Sequence, residues 1–152
     1  MALSDFGHPL MAVVNVSGRL GTRPGKHVLL PSVFFEAGKA PLFAETQRQY
    51  AVDFRFPFMI QDQFRMTLPA NVTVENLPED GNVPFAPNAD YLAKFASNGR
   101  TFGYGRLLRI ANFHYETAAY PSLHGFFQKV SSADHSELVL RATPEMAGAA
   151  GN

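Results

Sequence analysis

The chain contains no cysteine and no tryptophan among its 152 residues. The absence of cysteine excludes disulfide bonds, thiolate zinc sites and thiol nucleophiles, although it does not identify the cellular compartment. Basic and acidic residues number 13 each, so the formal net charge is zero and the composition does not predict a nucleic acid partner. No apolar run approaches the roughly 20 residues of a membrane helix, and residues 1–17 lack the pattern of a signal peptide. We therefore expect neither membrane insertion nor a signal peptide in this chain.

Aromatic and turn-forming residues are abundant instead, with 14 phenylalanines, 12 glycines and 11 prolines. This composition favours a turn-rich, mainly β protein over a helix bundle. A chain of this length is sufficient for one domain with a substantial core. We predict a flexible N-terminal segment over residues 1–9, a single β-sandwich domain over residues 10–142, and a disordered Ala/Gly tail over residues 143–152.

Alternating apolar and polar residues predict a series of strands separated by turns. The clearest alternation runs over 47–58, and Pro31 indicates that its strand is an edge strand or ends there. The residues 79–88 are predicted to be a loop, and Asn98-Gly99 predicts a tight hairpin turn. The predicted strands cover 10–20, 26–35, 47–58, 62–68, 72–77, 91–96, 101–116 and 137–141. Because most of them follow one another without a helix, we expect antiparallel sheets.

One segment has the three-and-four spacing of an amphipathic helix. Pro121 suits a first helical turn, and the apolar positions that follow fall on one face; they are Leu123, Phe126, Phe127 and Val130. We predict a helix over about 121–132 that covers the sheet. The predicted fold class is therefore mainly β, an antiparallel β-sandwich with one short amphipathic helix near the C-terminus.

The same segment gathers residue types that occur in hydrolytic triads. His124, Asp134 and His135 lie close together in the sequence, and Ser122, Ser131 and Ser132 are nearby. No Gly-x-Ser-x-Gly elbow accompanies them, and the five histidines do not have metal-ligand spacing, so a solvated helix surface explains these residues better. We predict no catalytic residue, no metal site and no cofactor.

The stretch Gly99–Arg106, with sequence GRTFGYGR, places basic and aromatic residues beside glycines. This pattern is superficially like the RNA-binding strand of an RNA-recognition motif. That fold needs two helices alternating with strands, whereas this sequence predicts one late helix and carries no net charge. A hairpin whose glycines ease close backbone approach is the favoured interpretation.

Several features in order resemble a known family. The sequence has a Pro-Gly-Lys turn at 24–26, Phe56-Pro57 after an alternating stretch, Leu68-Pro69, the Gly99 hairpin, and Leu138 to Leu140 in the last strand. Over about 14–140 the chain resembles the carboxy-terminal β-rich, DUF3858-like domain of bacterial DUF3857/transglutaminase-like proteins. The resemblance implies an upstream transglutaminase-like core that carries a Cys-His-Asp triad. Since this chain has no cysteine, no catalytic residue transfers to it.

The resemblance implies a noncatalytic accessory domain of a larger transglutaminase or cysteine-protease-like protein, with a structural or partner-presenting role. Its expected partner is the upstream core, and its expected location is periplasmic or secreted. The alternative is a stand-alone module that binds carbohydrate, peptide or lipid through exposed aromatic residues of the 91–104 hairpin, namely Tyr91, Phe102 and Tyr104. Burial of these side chains in the core would oppose that alternative. The sequence leaves the oligomeric state open.

Overall fold

A computed structural model describes residues 21–143 of the chain. Within that range the chain forms nine strands, one α-helix and a short 3-10 turn at Thr117–Ala119. The strands are β1 (His27–Pro31), β2 (Val52–Asp53), β3 (Phe58–Thr67), β4 (Val72–Asn76), β5 (Gly81–Phe85), β6 (Ala89–Asn98), β7 (Thr101–Ile110), β8 (His114–Tyr115) and β9 (Glu137–Ala142). The helix α1 spans Tyr120–Asp134. The prediction of a mainly β, antiparallel fold with one C-terminal helix is confirmed.

The largest element is a four-stranded antiparallel sheet with the strand order β3-β7-β6-β5. The strands β6 and β7 form the predicted hairpin, in which Asn98 pairs with Thr101 across the two-residue turn. Gly99 takes a positive φ of 56° in that turn, a conformation that costs glycine little. The side chains of β7 alternate between the two faces of the sheet, and those on one face are buried.

A three-stranded antiparallel sheet with the order β1-β9-β4 packs over part of that buried face. Pro31 is the last residue of β1, an outer strand of this sheet, as the sequence predicted. A proline there removes no central ladder hydrogen bond. The strands β2 and β8 form a separate two-stranded pair.

The helix α1 covers the rest of the buried face. It contains Pro121 in its first turn and continues two residues past the predicted end at 132. The four apolar positions predicted from the helical spacing are all buried. The helix thus has the core-covering role that its pattern predicted.

The interior divides into two clusters on the same face of the four-stranded sheet. The helix half lies under α1 and includes Tyr91, Leu108 and Ile110 of the sheet. The sheet half lies under the three-stranded sheet and includes Phe102 and Tyr104. The two-layer arrangement is therefore sandwich-like, with a helix replacing one part of the second layer.

Two predictions from the alternation were wrong. The segment 47–58 has only the two-residue strand β2 and the first residue of β3. A local turn interrupts the strand: Arg55 has a positive φ of 68°, and its backbone N–H donates a hydrogen bond to Asp53 Oδ1 at 2.6 Å. The predicted loop 79–88 contains the strand β5. Its Pro84 lies on an outer strand of the sheet, where a missing N–H is tolerated.

The predicted strand 10–20, the N-terminal segment 1–9 and nearly all of the Ala/Gly tail lie outside the described residues. No helix within residues 21–143 is long and apolar enough to cross a membrane.

Candidate functional site

A buried arginine lies at the boundary between the two halves of the core. The alternation of β7 puts Arg106 on the same face as Phe102, Tyr104, Leu108 and Ile110. The residue is only 3% exposed. A guanidinium ion in this position requires partners that replace its water, since a buried unpaired charge is very unfavourable.

Asp134, at the end of α1, is the main partner of Arg106. Its Oδ1 accepts a hydrogen bond from Nε and its Oδ2 accepts one from Nη2, both at 2.8 Å. This two-point geometry matches the planar fork of a guanidinium group to a carboxylate. The hydroxyl of Tyr91 donates to the same Oδ1 at 2.7 Å, and the Arg106 guanidinium lies 5.5 Å from the centre of the Tyr91 ring. Both oxygens of Asp134 are therefore occupied.

Two further carboxylates approach the opposite side of Arg106. Its Nη1 donates to Asp62 Oδ2 at 3.0 Å, and Glu36 Oε1 lies 3.8 Å from the same nitrogen. Lys39 donates to that Glu36 oxygen at 3.0 Å. We call Arg106, Asp134, Asp62, Glu36 and Tyr91 the Arg106 cluster.

The surroundings of Arg106 and Tyr91 in the cluster raise the pKa of both side chains. Burial disfavours the charge on Arg106, but the hydrogen bonds and charge of Asp134, with Glu36, outweigh it and raise the pKa of Arg106 above its ordinary value. Burial and the hydrogen bond to Asp134 also raise the pKa of Tyr91 far above the ordinary tyrosine value. Both groups therefore remain protonated at neutral pH, which suits a structural cluster better than proton transfer.

A groove of about 320 Å³ opens beside the Arg106 cluster. Charged residues of the cluster meet apolar side chains from the 36–43 segment, the four-stranded sheet and α1. We define the apolar groove by the walls Pro41, Leu42, Phe58, Ile60, Leu108, Phe127 and Val130. Leu42 is 60% exposed and Ile60 is 41% exposed, so the walls reach the protein surface.

The aromatic residues predicted to contact a ligand are not exposed. Tyr91 and Phe102 are fully buried and Tyr104 is 5% exposed. All three lie in the two core clusters, because the inward face of the hairpin is covered by the helix and the small sheet. They cannot form a surface for carbohydrate, peptide or lipid.

The stretch Gly99–Arg106 also differs from an RNA-binding strand, which exposes its aromatic side chains so that bases can stack on them. Phe102 and Tyr104 face the core, whereas the outward positions in β7 include Gly103 and Gly105. The sheet thus presents glycine backbone to the solvent at these positions, and the aromatic side chains stabilise the interior.

The structure does not assemble the hydrolytic arrangement drawn from the helix sequence. Asp134 is paired with Arg106, and the His124 ring lies beside Gln128. The two ring nitrogens of His135 lie 2.7 Å from the Ser131 carbonyl oxygen and 3.2 Å from that of Lys39. Over residues 21–143 no group of three or more His, Asp or Glu side chains is arranged to hold a metal ion.

The sequence contained an overlooked signal for the cluster. Arg106 is in phase with the apolar positions of β7, and Asp134 follows Val130 by four residues on the buried face of α1. A charged residue in phase with a buried face requires a buried counter-charge. The patterns alone therefore indicate that each of these two residues needs a buried partner of opposite charge.

Comparisons with known proteins agree with this fold. A search of curated proteins found no match to the sequence. A solved crystal structure from Parabacteroides distasonis, described as a "putative protease", is similar with a TM-score of 0.61 and 10% identity. The similarity covers 76% of this chain and 23% of the Parabacteroides chain, so this chain spans less than a quarter of that protein. At this identity the likeness shows the fold alone.

A family model also matches the sequence. It is described as a domain of unknown function with a solved structure, DUF3858, and it covers residues 26–140, which is more than half of the chain. The match contains the helix, every residue of the Arg106 cluster and all three sheets except the last two residues of β9. The chain therefore belongs to the DUF3858 family.

Proposed function

We propose that this chain is a noncatalytic accessory domain of a longer protein and that it presents a docking surface to that protein. The observation that carries the proposal is the burial of Asp134 and its three accepted hydrogen bonds from Arg106 and Tyr91. A general base must be within reach of the proton that it removes. Asp134 is only 4% exposed and is held by its partners, so a substrate has little access to it, and it instead joins the helix to the sheet.

The surface around the apolar groove supports the docking role. Leu42 and Ile60, which are 60% and 41% exposed, expose apolar area at its rim. Exposed apolar residues that cluster beside a groove are typical of protein contact sites. Domains of one polypeptide commonly contact one another through interfaces of this kind.

The proposed partner is a transglutaminase-like or protease-like core in the same polypeptide. The resemblance to transglutaminase-like proteins supports this assignment, and the structurally similar Parabacteroides chain, described as a "putative protease", is much longer than this one. An extracytoplasmic location of the longer protein belongs to the same proposal and rests on the resemblance to transglutaminase-like proteins. Cell fractionation of the longer protein tests the location.

The catalytic part of the proposal is tested with the chain alone. Peptide hydrolysis and Gln-to-Lys cross-linking are measured for the unaltered chain and for Ser122→Ala and His124→Ala. We expect no activity above buffer in any of the three proteins. Activity that disappears in either variant would overturn the noncatalytic assignment.

The docking part is tested in the longer polypeptide. Leu42→Ser combined with Ile60→Ser is expected to increase protease cleavage between this domain and its neighbour, because the apolar contact is lost. Leu92→Ser is the matched control, since Leu92 is 40% exposed and lies on the opposite face of the four-stranded sheet. Equal cleavage of both variants would contradict docking at the groove.

A further inference from the structure

The charges beside the apolar groove do not balance. Arg106 and Lys39 carry two positive charges, whereas Glu36, Asp62 and Asp134 carry three negative charges. Asp134 uses both oxygens on Arg106, so the excess negative charge is concentrated on the Glu36 and Asp62 side of the guanidinium. The Arg106 cluster together with Lys39 therefore carries one net negative charge beside the groove, which attracts a cation.

Glu36 and Asp134 both line the groove, and Glu36 is the one that does not use both of its oxygens on Arg106. Its side chain is 16% exposed and lines the cavity, and Lys39 reaches Oε1 from a side chain that is 62% exposed. Within residues 21–143 no donor contacts Glu36 Oε2. A carboxylate has about four lone-pair sites, so Glu36 has capacity for a second ammonium or guanidinium group.

The walls of the groove select what can carry that cation. Leu42, Ile60 and Phe58 form an apolar path from the surface towards Glu36. A lysine or arginine side chain has a matching form, with an aliphatic stem and a charged end. A purely apolar side chain would bury the Glu36 oxygens without a partner, and an acidic one would be repelled.

The neighbouring backbone indicates the form of the ligand. β3 contains Phe58 and Ile60 and is an outer strand of the four-stranded sheet, so within the described chain no strand pairs with its second side. An extended peptide can hydrogen-bond to such a strand while its alternate side chains enter an adjacent groove. We propose that the apolar groove binds a lysine or arginine side chain of an extended polypeptide segment of the partner. This inference rests on the proposed docking function and specifies its chemistry.

The test uses capped heptapeptides titrated into the isotope-labelled chain and followed by amide chemical shifts. The reference peptide is Ac-Ser-Val-Thr-Lys-Val-Thr-Ser-NH2, and its central lysine is replaced by arginine, norleucine or glutamate in the other three. We expect the lysine and arginine peptides to shift amides of the groove walls and to bind at least about 10-fold more tightly than the norleucine peptide, since charge-assisted hydrogen bonds discriminate by this order. The glutamate peptide is expected to bind more weakly still.

Two variants assign the preference to Glu36. Glu36→Gln is expected to weaken the lysine peptide to the affinity of the norleucine peptide. Glu75→Gln is the matched control, because Glu75 pairs with Arg141 on the three-stranded sheet and lies outside the groove. This control is expected to bind the lysine peptide as the unaltered chain does.

The inference is overturned if no peptide binds, if lysine and norleucine peptides bind equally, if Glu36→Gln keeps the preference, or if the shifts lie away from the groove. These failures leave the proposed function standing, because cleavage of the longer polypeptide tests docking without any peptide. Conversely, catalytic activity in the chain alone would overturn the noncatalytic function without changing the peptide result.

Discussion

The helix half and the sheet half of the core lie on the same face of one sheet, but a buried tyrosine hydroxyl has different surroundings in each half. In the helix half the hydroxyl of Tyr91 donates to Asp134 at 2.7 Å. In the sheet half the hydroxyl of Tyr104 is buried near the backbone N–H groups of Phe34 and Phe35, but among the described residues it has no partner within hydrogen-bond geometry. The buried charged groups among residues 21–143 thus lie at the boundary around Arg106. The sheet half is stabilised mainly by apolar and aromatic packing, and the buried Ser32 that follows β1 pairs its hydroxyl with that of Ser136 at 2.8 Å.

Removing the charge at the boundary should have one of the largest effects. Arg106→Met leaves Asp134 and Asp62 buried without their cation, and we expect the free energy of unfolding to fall by about 3–5 kcal/mol. Chemical denaturation measures this change. The control is Arg109→Met, whose exposed partner Asp90 remains solvated, and it should cost less than about 1 kcal/mol. Similar losses for both variants would show that burial does not matter at Arg106.

A second comparison truncates one phenylalanine in each half. Phe102→Ala in the sheet half should cost about 5 kcal/mol, whereas Phe127→Ala in the helix half should cost about 3 kcal/mol. The difference is expected because Phe102 is fully buried and Phe127 lines the open groove, where the surroundings relax more easily. Thermal and chemical unfolding measure both. An unchanged melting temperature for Phe127→Ala would show that α1 is not a core element.

The two tyrosines give the sharpest contrast because the substitution is identical. Tyr91→Phe should cost about 1.5–3 kcal/mol, since it removes a buried hydrogen bond to a charged group. Tyr104→Phe should leave stability unchanged or raise it by up to about 1 kcal/mol, because it removes a buried hydroxyl that has no partner. Paired denaturation curves measure the two effects. The same sign and size in both variants would contradict the difference between the halves.

The smallest effect lies at the solvent-exposed His114 of the β2-β8 pair. A hydrogen bond to Glu116 and the nearby Asp53 raise the pKa of His114 above its ordinary value. Because the pKa of His114 is raised in the folded state, protonation of His114 stabilises the fold. This stabilisation is fully present below the pKa of the unfolded state and is lost as the pH rises through the pKa of the folded state. Titration followed by the imidazole proton signals should give a pKa above 6.5 that falls in Glu116→Gln. No change in Glu116→Gln would remove Glu116 as the cause.

Local patterns predicted the elements that they control. The helical spacing from Leu123 to Val130 identified α1, and Asn98-Gly99 identified the hairpin, since both signals depend on neighbouring residues. The alternation over 47–58 failed because Arg55 takes a positive φ, which depends on a specific turn at Asp53. The strand β5 was missed because glycine, asparagine and proline are typical of loops, and only pairing with β6 makes it a strand.

The candidate site depends on contacts between distant segments. Glu36, Asp62, Arg106 and Asp134 come from a connecting segment, two strands and the helix, so their distances follow from the tertiary fold. Periodicity shows that Arg106 and Asp134 face inwards, but it does not show that both face the same boundary. The apolar groove is formed by the same connecting segment, the strands β3 and β7, and the helix α1. Sequence patterns therefore did not predict it.

A double-mutant cycle on Arg106 and Asp134 tests most directly whether the boundary is a coupled structural pair. The free energy of unfolding is measured for Arg106→Met, for Asp134→Leu and for the double variant. If each single change leaves a buried charge uncompensated, the double variant should be at least as stable as Arg106→Met, with a coupling energy of about 2–3 kcal/mol. A double variant whose loss equals the sum of the two single losses would contradict the coupling of these two residues.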